Sequence, residues 1–133
     1  MVVNMKILRY EDLNVWKLSI VLTKTIYTIT YKKSFSRDYS FKDQIRRAMI
    51  SVSCNIVEGF ERNNNNEFIQ YLRIAKGSIG EVRNLLLISL ELGYINEMEF
   101  KEISAEAFNI SNQIGKFISS LLQKKKNNQF INK

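Results

Sequence analysis

The 133-residue chain has no proline and no histidine, one cysteine and five glycines. Without histidine there is no imidazole base, which excludes hydrolases of the Ser-His-Asp or Cys-His kind. The lone Cys54 forms no internal disulfide, which fits a reducing compartment, and one cysteine assembles no Cys/His zinc site. No stretch reaches about 18 uncharged apolar residues, and Met1 to Tyr10 lack the apolar core of a signal peptide, so no membrane span is expected and a cytoplasmic location is. Glycine-rich phosphate loops and metal-ligand spacings are absent from the sequence as well, so we expect no cofactor.

What is present is ordinary globular composition, 45% hydrophobic and 25% charged, in a chain of one-domain length. Apolar residues recur at three and four positions almost throughout, and that period predicts an all-α fold. Four helices are expected. The first spans about Glu11 to Tyr31. The second follows a polar link, is capped by Ser40 with Asp43 as an approximate capping box, and ends near Glu61. The run Asn63 to Asn66 reads as a turn plus N-cap, Glu67 to Leu92 as the third helix, and Gly93 as its C′ residue. Asn96 and Glu99 mark the start of the fourth. Long helices with short links make antiparallel neighbours, so the economical architecture is an up-down-up-down four-helix bundle over residues 11–123. Residues 1–10 form an N-terminal segment and 124–133 a basic, disordered tail on this reading.

Helix 2 is apolar on two arcs: Phe41, Ile45, Ala48, Val52 and Ile56 on one, Ile50, Cys54 and Val57 on another. Either a central helix touches two neighbours, or the second arc is reserved for another copy of the chain. Helix 1 also carries two stripes, one including Trp16, which favours self-association through Trp16, Ile50, Cys54 and Val57. Between the arcs runs a polar row that includes Arg47, Ser51, Asn55 and Glu58, answered on helix 3 by Ser78 and Glu81. As paired carboxylates Glu58 and Glu81 are acid/base candidates and Ser51 a nucleophile candidate, but without a partner base the set reads as a structural polar network in a non-enzymatic protein.

The formal net charge of +7 is uneven. Residues 1–57 hold ten basic and four acidic side chains, residues 58–123 six and nine, and the tail adds four lysines. Lys32, Lys33, Arg37, Lys42 and Arg46 crowd one link and helix start with Tyr31, Phe35 and Tyr39 between them, and Lys124, Lys125 and Lys126 open the tail. Such cations attract phosphate backbones of RNA or DNA, with strong salt dependence. The alternative is a solvated face serving solubility, on a scaffold or adaptor that binds another protein.

With these motifs placed, the chain resembles the four-helix-bundle proteins encoded in intervening sequences of bacterial 23S ribosomal RNA genes. The residues that carry the resemblance are Tyr10, Asp12, Leu13, Val15 and Trp16; Gln44 to Ala48 with Ser51; Asn55 to Phe60; Glu67 to Leu72; Ile74 to Ser78 with Glu81; and Leu92 to Ile95. Cys54, Lys76 and the Asn-rich turn depart from the usual pattern without touching the fold. The resemblance implies a homopentamer around a central channel with a basic surface for nucleic acid. A similar family contains the accessory variability protein of diversity-generating retroelements, which implies a reverse transcriptase as a further partner.

Overall fold

The computed structural model describes the backbone of residues 7–131 and the side chains of residues 7–126. The first six residues of the N-terminal segment and the last two of the tail lie outside the described residues. A 3-10 turn at Tyr10–Asp12 precedes five helices: α1 Asn14–Thr30, α2 Lys33–Arg37, α3 Tyr39–Glu61, α4 Asn65–Glu91 and α5 Glu97–Ile131. No strand occurs among the described residues.

Helix boundaries follow local chemistry. Asn63 takes the left-handed region at φ 52°, and Asn64 Oδ1 then accepts from the Glu67 backbone N–H at 3.0 Å to cap α4. At the other end of α4, Gly93 at φ 75° lets its own N–H donate to Leu90 O at 3.0 Å and the Tyr94 N–H to Ser89 O at 2.8 Å, a Schellman closure. Asn96 and Glu99 form a reciprocal capping box: Glu99 N donates to Asn96 Oδ1 at 2.8 Å and Asn96 N to Glu99 Oε1 at 3.0 Å.

Three expectations are corrected. The link before the second long helix is not irregular, because Phe35 is fully buried and draws Lys33–Arg37 into a turn of helix against the core. The cap of α3 is Asp38 and not Ser40: Asp38 Oδ1 accepts from Phe41 N at 3.2 Å. The last helix does not stop at Gln123, since Lys124, Lys125 and Lys126 continue it with nothing helix-breaking to end it.

The long helices pack in a cycle, α1 on α3, α3 on α4, α4 on α5 and α5 back on α1. Contacts along α3 and α4 run in opposite senses, from Phe60 with Phe68 through Ser51 with Ser78 to Gln44 with Glu81. The shared core is drawn from every long helix, with Leu22, Ile26, Ile45, Met49, Ile56, Leu72, Ile79, Leu86, Ile110 and Ile114 essentially closed to solvent. Buried hydroxyls within it bond their own helix: Ser19 Oγ donates to Val15 O at 2.7 Å and Thr30 Oγ1 to Ile26 O at 2.8 Å.

Candidate nucleic-acid interface

The basic residues of the sequence divide between two ends of the molecule. Lys32, Lys33, Arg37, Lys42, Arg46 and Arg47 lie where α1 ends and α3 begins, around α2. Lys124, Lys125 and Lys126 lie on α5 beside the turn that joins α3 to α4, because Lys124 lines a cavity with Asn63, Asn64 and Asn65. From Arg47, the nearest of the first group, α3 runs 14 more residues to Glu61, roughly 21 Å at 1.5 Å per residue. One chain therefore does not merge them into one patch.

At the α2 end an aromatic cluster packs under the link between α1 and α3. The rings of Phe35, Phe41 and Tyr94 lie 5.2 to 5.9 Å apart, and the Tyr94 hydroxyl donates to Asp38 Oδ2 at 2.8 Å. Donation to Asp38, then burial, raise the Tyr94 hydroxyl above its ordinary pKa. The same Asp38 caps α3, so its carboxylate accepts from two donors of the fold and makes no ion pair with the nearby cations among the described residues.

Arg46, expected on the surface, packs on α1, and Arg47, expected inside, is exposed. Arg46 turns toward α1: its Nε donates to Thr30 Oγ1 at 2.8 Å and its guanidinium stands over the rings of Tyr27 at 4.2 Å and Tyr31 at 5.1 Å. Its Nη2 is shut away from solvent with no hydrogen-bond partner among the described residues. Arg47, expected in the internal network, is exposed and makes no ion pair among the described residues. Lys32 is paired with Glu99 across the link to α5 and is not free. Lys42 stands over the Tyr39 ring at 5.0 Å, and Lys33 and Arg37 are exposed. The available cations at this end are thus Lys33, Arg37, Lys42 and Arg47, with Asp43 as the exposed acid among them.

Of the polar network, the structure joins Ser51, Asn55 and Ser78. The Ser51 and Ser78 hydroxyls meet at 2.9 Å, and Asn55 Nδ2 donates to Ser51 O at 2.8 Å and Ser51 Oγ at 3.0 Å. Glu58 and Glu81 stay exposed outside it. Glu58 pairs with Arg62 at 3.4 Å, and among the described residues Glu81 is reached only by Gln44 Nε2 at 3.4 Å. Arg62 ties the turn together by donating to Tyr71 Oη at 2.8 Å and approaching Glu67 at 3.7 Å. Of the expected interface residues, Ile50 and Cys54 are exposed and Val57 half-buried on the outer side of α3, while Trp16 is half-buried edge-to-face with Tyr10 at 5.4 Å.

Asp38 and Tyr94 are the site residues that sequence reasoning missed. The signal for Asp38 was its place one residue before a helical run, where a carboxylate suits free N–H groups. The partnership with Tyr94 spans 56 positions and left no local trace.

The family described as 23S rRNA-intervening sequence protein matches residues 11–116. A crystal structure of a protein of unknown function from the S23 ribosomal protein family of Bacteroides thetaiotaomicron is similar in fold, with a TM-score of 0.71 at 21% identity, covering 78% of this chain and 97% of that one. No curated protein matches the chain.

Proposed function

Because the chain belongs to the 23S rRNA-intervening sequence protein family, we propose that it is a non-enzymatic cytoplasmic protein that associates with RNA or DNA through its α2 end. The observation that carries this reading is the group Lys33, Arg37, Lys42 and Arg47, exposed or half-exposed and without ion-pair partners among the described residues, beside a guanidinium clamped between tyrosines. Cations so placed meet phosphates, so binding is to the backbone with little base readout. The reading takes the four long helices as an up-down-up-down bundle that assembles into a homopentamer, which repeats the α2 end around one rim. The resemblance to the accessory variability protein extends it to a reverse transcriptase as a partner.

An electrophoretic shift series with structured RNA and duplex DNA tests the proposal. Binding should weaken steeply between about 50 and 200 mM salt. Changing Lys33, Arg37, Lys42 and Arg47 to Gln together should weaken every sequence alike and flatten the logarithmic salt slope by about three to four for duplex DNA. Arg47 takes the place of Arg46 in this set because Arg46 is engaged with α1. No shift of the wild-type protein at about 50 mM salt sinks the reading. A protein partner that resists nuclease and high salt would favour the scaffold instead.

A further inference from the structure

The two most exposed aromatic rings among the described residues both stand at the cationic end. Tyr31, which ends α1, keeps 74% of its surface exposed and Tyr39, which opens α3, keeps 72%, whereas Phe35, Phe41 and Tyr94 of the same end are buried or half-buried. Holding phosphates by lysine and arginine alone leaves both rings without a part.

Each ring already has a cation on one side. The Arg46 guanidinium stands over Tyr31 at 5.1 Å and the Lys42 ammonium over Tyr39 at 5.0 Å. Because so much of either residue is exposed, the opposite face of its ring is open. Tyr39, Lys42 and Arg46 fall within about 60° of one another around α3 at 100° per residue, and Lys42 to Arg46 is one helical turn, roughly 6 Å. Tyr31, Arg46, Lys42 and Tyr39 therefore make one short row with a ring at each end. Arg46 is fixed within it, since its Nε donates to Thr30 Oγ1 at 2.8 Å and the Tyr27 ring lies 4.2 Å from its guanidinium. A ring held in this way loses little freedom when a planar group lies on it.

Charge beside the row favours a phosphate chain. Lys33, Arg37 and Arg47 are exposed around it. Of the acids at this end, Asp38 accepts from the Phe41 N–H and the Tyr94 hydroxyl, and Glu99 is paired with Lys32. Asp43 stays exposed on α3 beside Arg47, as do Glu91 and Glu97 at the joint of α4 and α5.

We propose that Tyr31 and Tyr39 form a stacking platform for unpaired bases of a single-stranded nucleic acid, whose phosphates Lys33, Arg37, Lys42 and Arg47 hold. Bases in a duplex are closed between their neighbours, and only a single strand offers their faces to a protein ring. Stacking is tolerant of sequence, because every base has such a face. The inference rests on the backbone-binding reading above and adds the form of nucleic acid that the site selects.

Fluorescence anisotropy at about 50 mM salt tests it with end-labelled strands of about 12 nucleotides, within the span that one stacking domain occupies. The probes are an unstructured strand as RNA and as DNA, the duplex of the same sequence, and a DNA strand of the same length with abasic sites in place of nucleotides. Tight binding of either the RNA or the DNA strand carries the inference, since stacking is common to both. Tyr31→Ala and Tyr39→Ala should stay helical by circular dichroism, and each should weaken single-strand binding at least about fivefold while leaving duplex binding and the salt slope as they are. Tyr31→Phe and Tyr39→Phe keep the ring and should bind as the wild type does. The wild type should bind the abasic strand at least about fivefold less tightly than the strand with bases. Alanine variants that hold the single strand as tightly as the wild type overturn the inference and leave the backbone reading standing. An equal loss on single strand and duplex, or an abasic strand bound as tightly as a complete one, does the same. A wild-type protein that binds none of the probes overturns both readings.

Discussion

The two ends of the molecule solve the same problem by different means. Each must close a hairpin of long helices over aromatic rings. At the α2 end Phe35, Phe41 and Tyr94 form the plug, and a hydrogen-bonded carboxylate, Asp38, fastens it. At the Asn-turn end Phe60, Phe68 and Phe117 stack edge-on at 5.2 to 5.9 Å, and Arg62 fastens the turn through Glu58, Glu67 and Tyr71. The first end uses its acid internally and leaves its cations outside. The second spends its cation Arg62 on its own acids and leaves a cavity of about 330 Å³ rimmed by carboxamides and Lys124. Similar plugs thus leave different surfaces: Lys33, Arg37, Lys42 and Arg47 stand around the first, and Lys124, Lys125 and Lys126 stand beside the second.

The largest effects should come from the plugs. Phe35 is fully buried, so Phe35→Ala should cost about 3–5 kcal/mol. Half-buried Phe60 at the other end should lose about 1–2 kcal/mol as Phe60→Ala, since less apolar area returns to water. Urea unfolding of both variants checks the order, and equal losses would break the asymmetry of the two plugs.

Next in size is the close approach of α3 to α4 at the Asn-turn end. A Cβ on Gly59 would stand 2.6 Å from Tyr71 Cβ and 3.0 Å from Phe68 Cδ1. Gly59→Ala should therefore destabilise by about 2 kcal/mol despite better helix propensity. Gly80→Ala should stabilise by about 0.5–1 kcal/mol because nothing in the chain opposes the new methyl group. Equal and favourable changes at both sites would show that the helices are not held at that spacing.

Where the fold was legible in the sequence, the signal was local. Asn64, Gly93 and the pair Asn96 and Glu99 act on backbone within a few residues of themselves, and each does what its type implies. What was illegible depended on distant partners. Arg46 and Arg47 differ by 100° around α3, and nothing near them in sequence says which one faces Thr30, Tyr27 and Tyr31 of α1. Likewise α2 is too short to form on propensity and exists because Phe35 is buried against Phe41 and Tyr94. Sequence thus placed both arginines at the head of α3 and did not say which of them packs on α1.

The smallest expected effect separates the two ends by their response to alkali. Tyr94 donates to Asp38 only while protonated, and its pKa is raised in the folded chain. A raised folded pKa means that the fold favours the protonated hydroxyl. This stabilisation is complete below the unfolded tyrosine value of about 10 and is lost as pH rises through the higher folded value. Wild-type thermal stability should therefore fall more steeply above about pH 10 than that of Tyr94→Phe, whose other tyrosines supply the shared background. Asn64→Ala supplies the contrast at the opposite end. Its cap is a carboxamide that does not titrate, so the loss of about 1 kcal/mol should be the same at every pH. Parallel melting curves for wild type and Tyr94→Phe from pH 8 to 11 would mean that the Tyr94 to Asp38 bond does not fasten the α2 end.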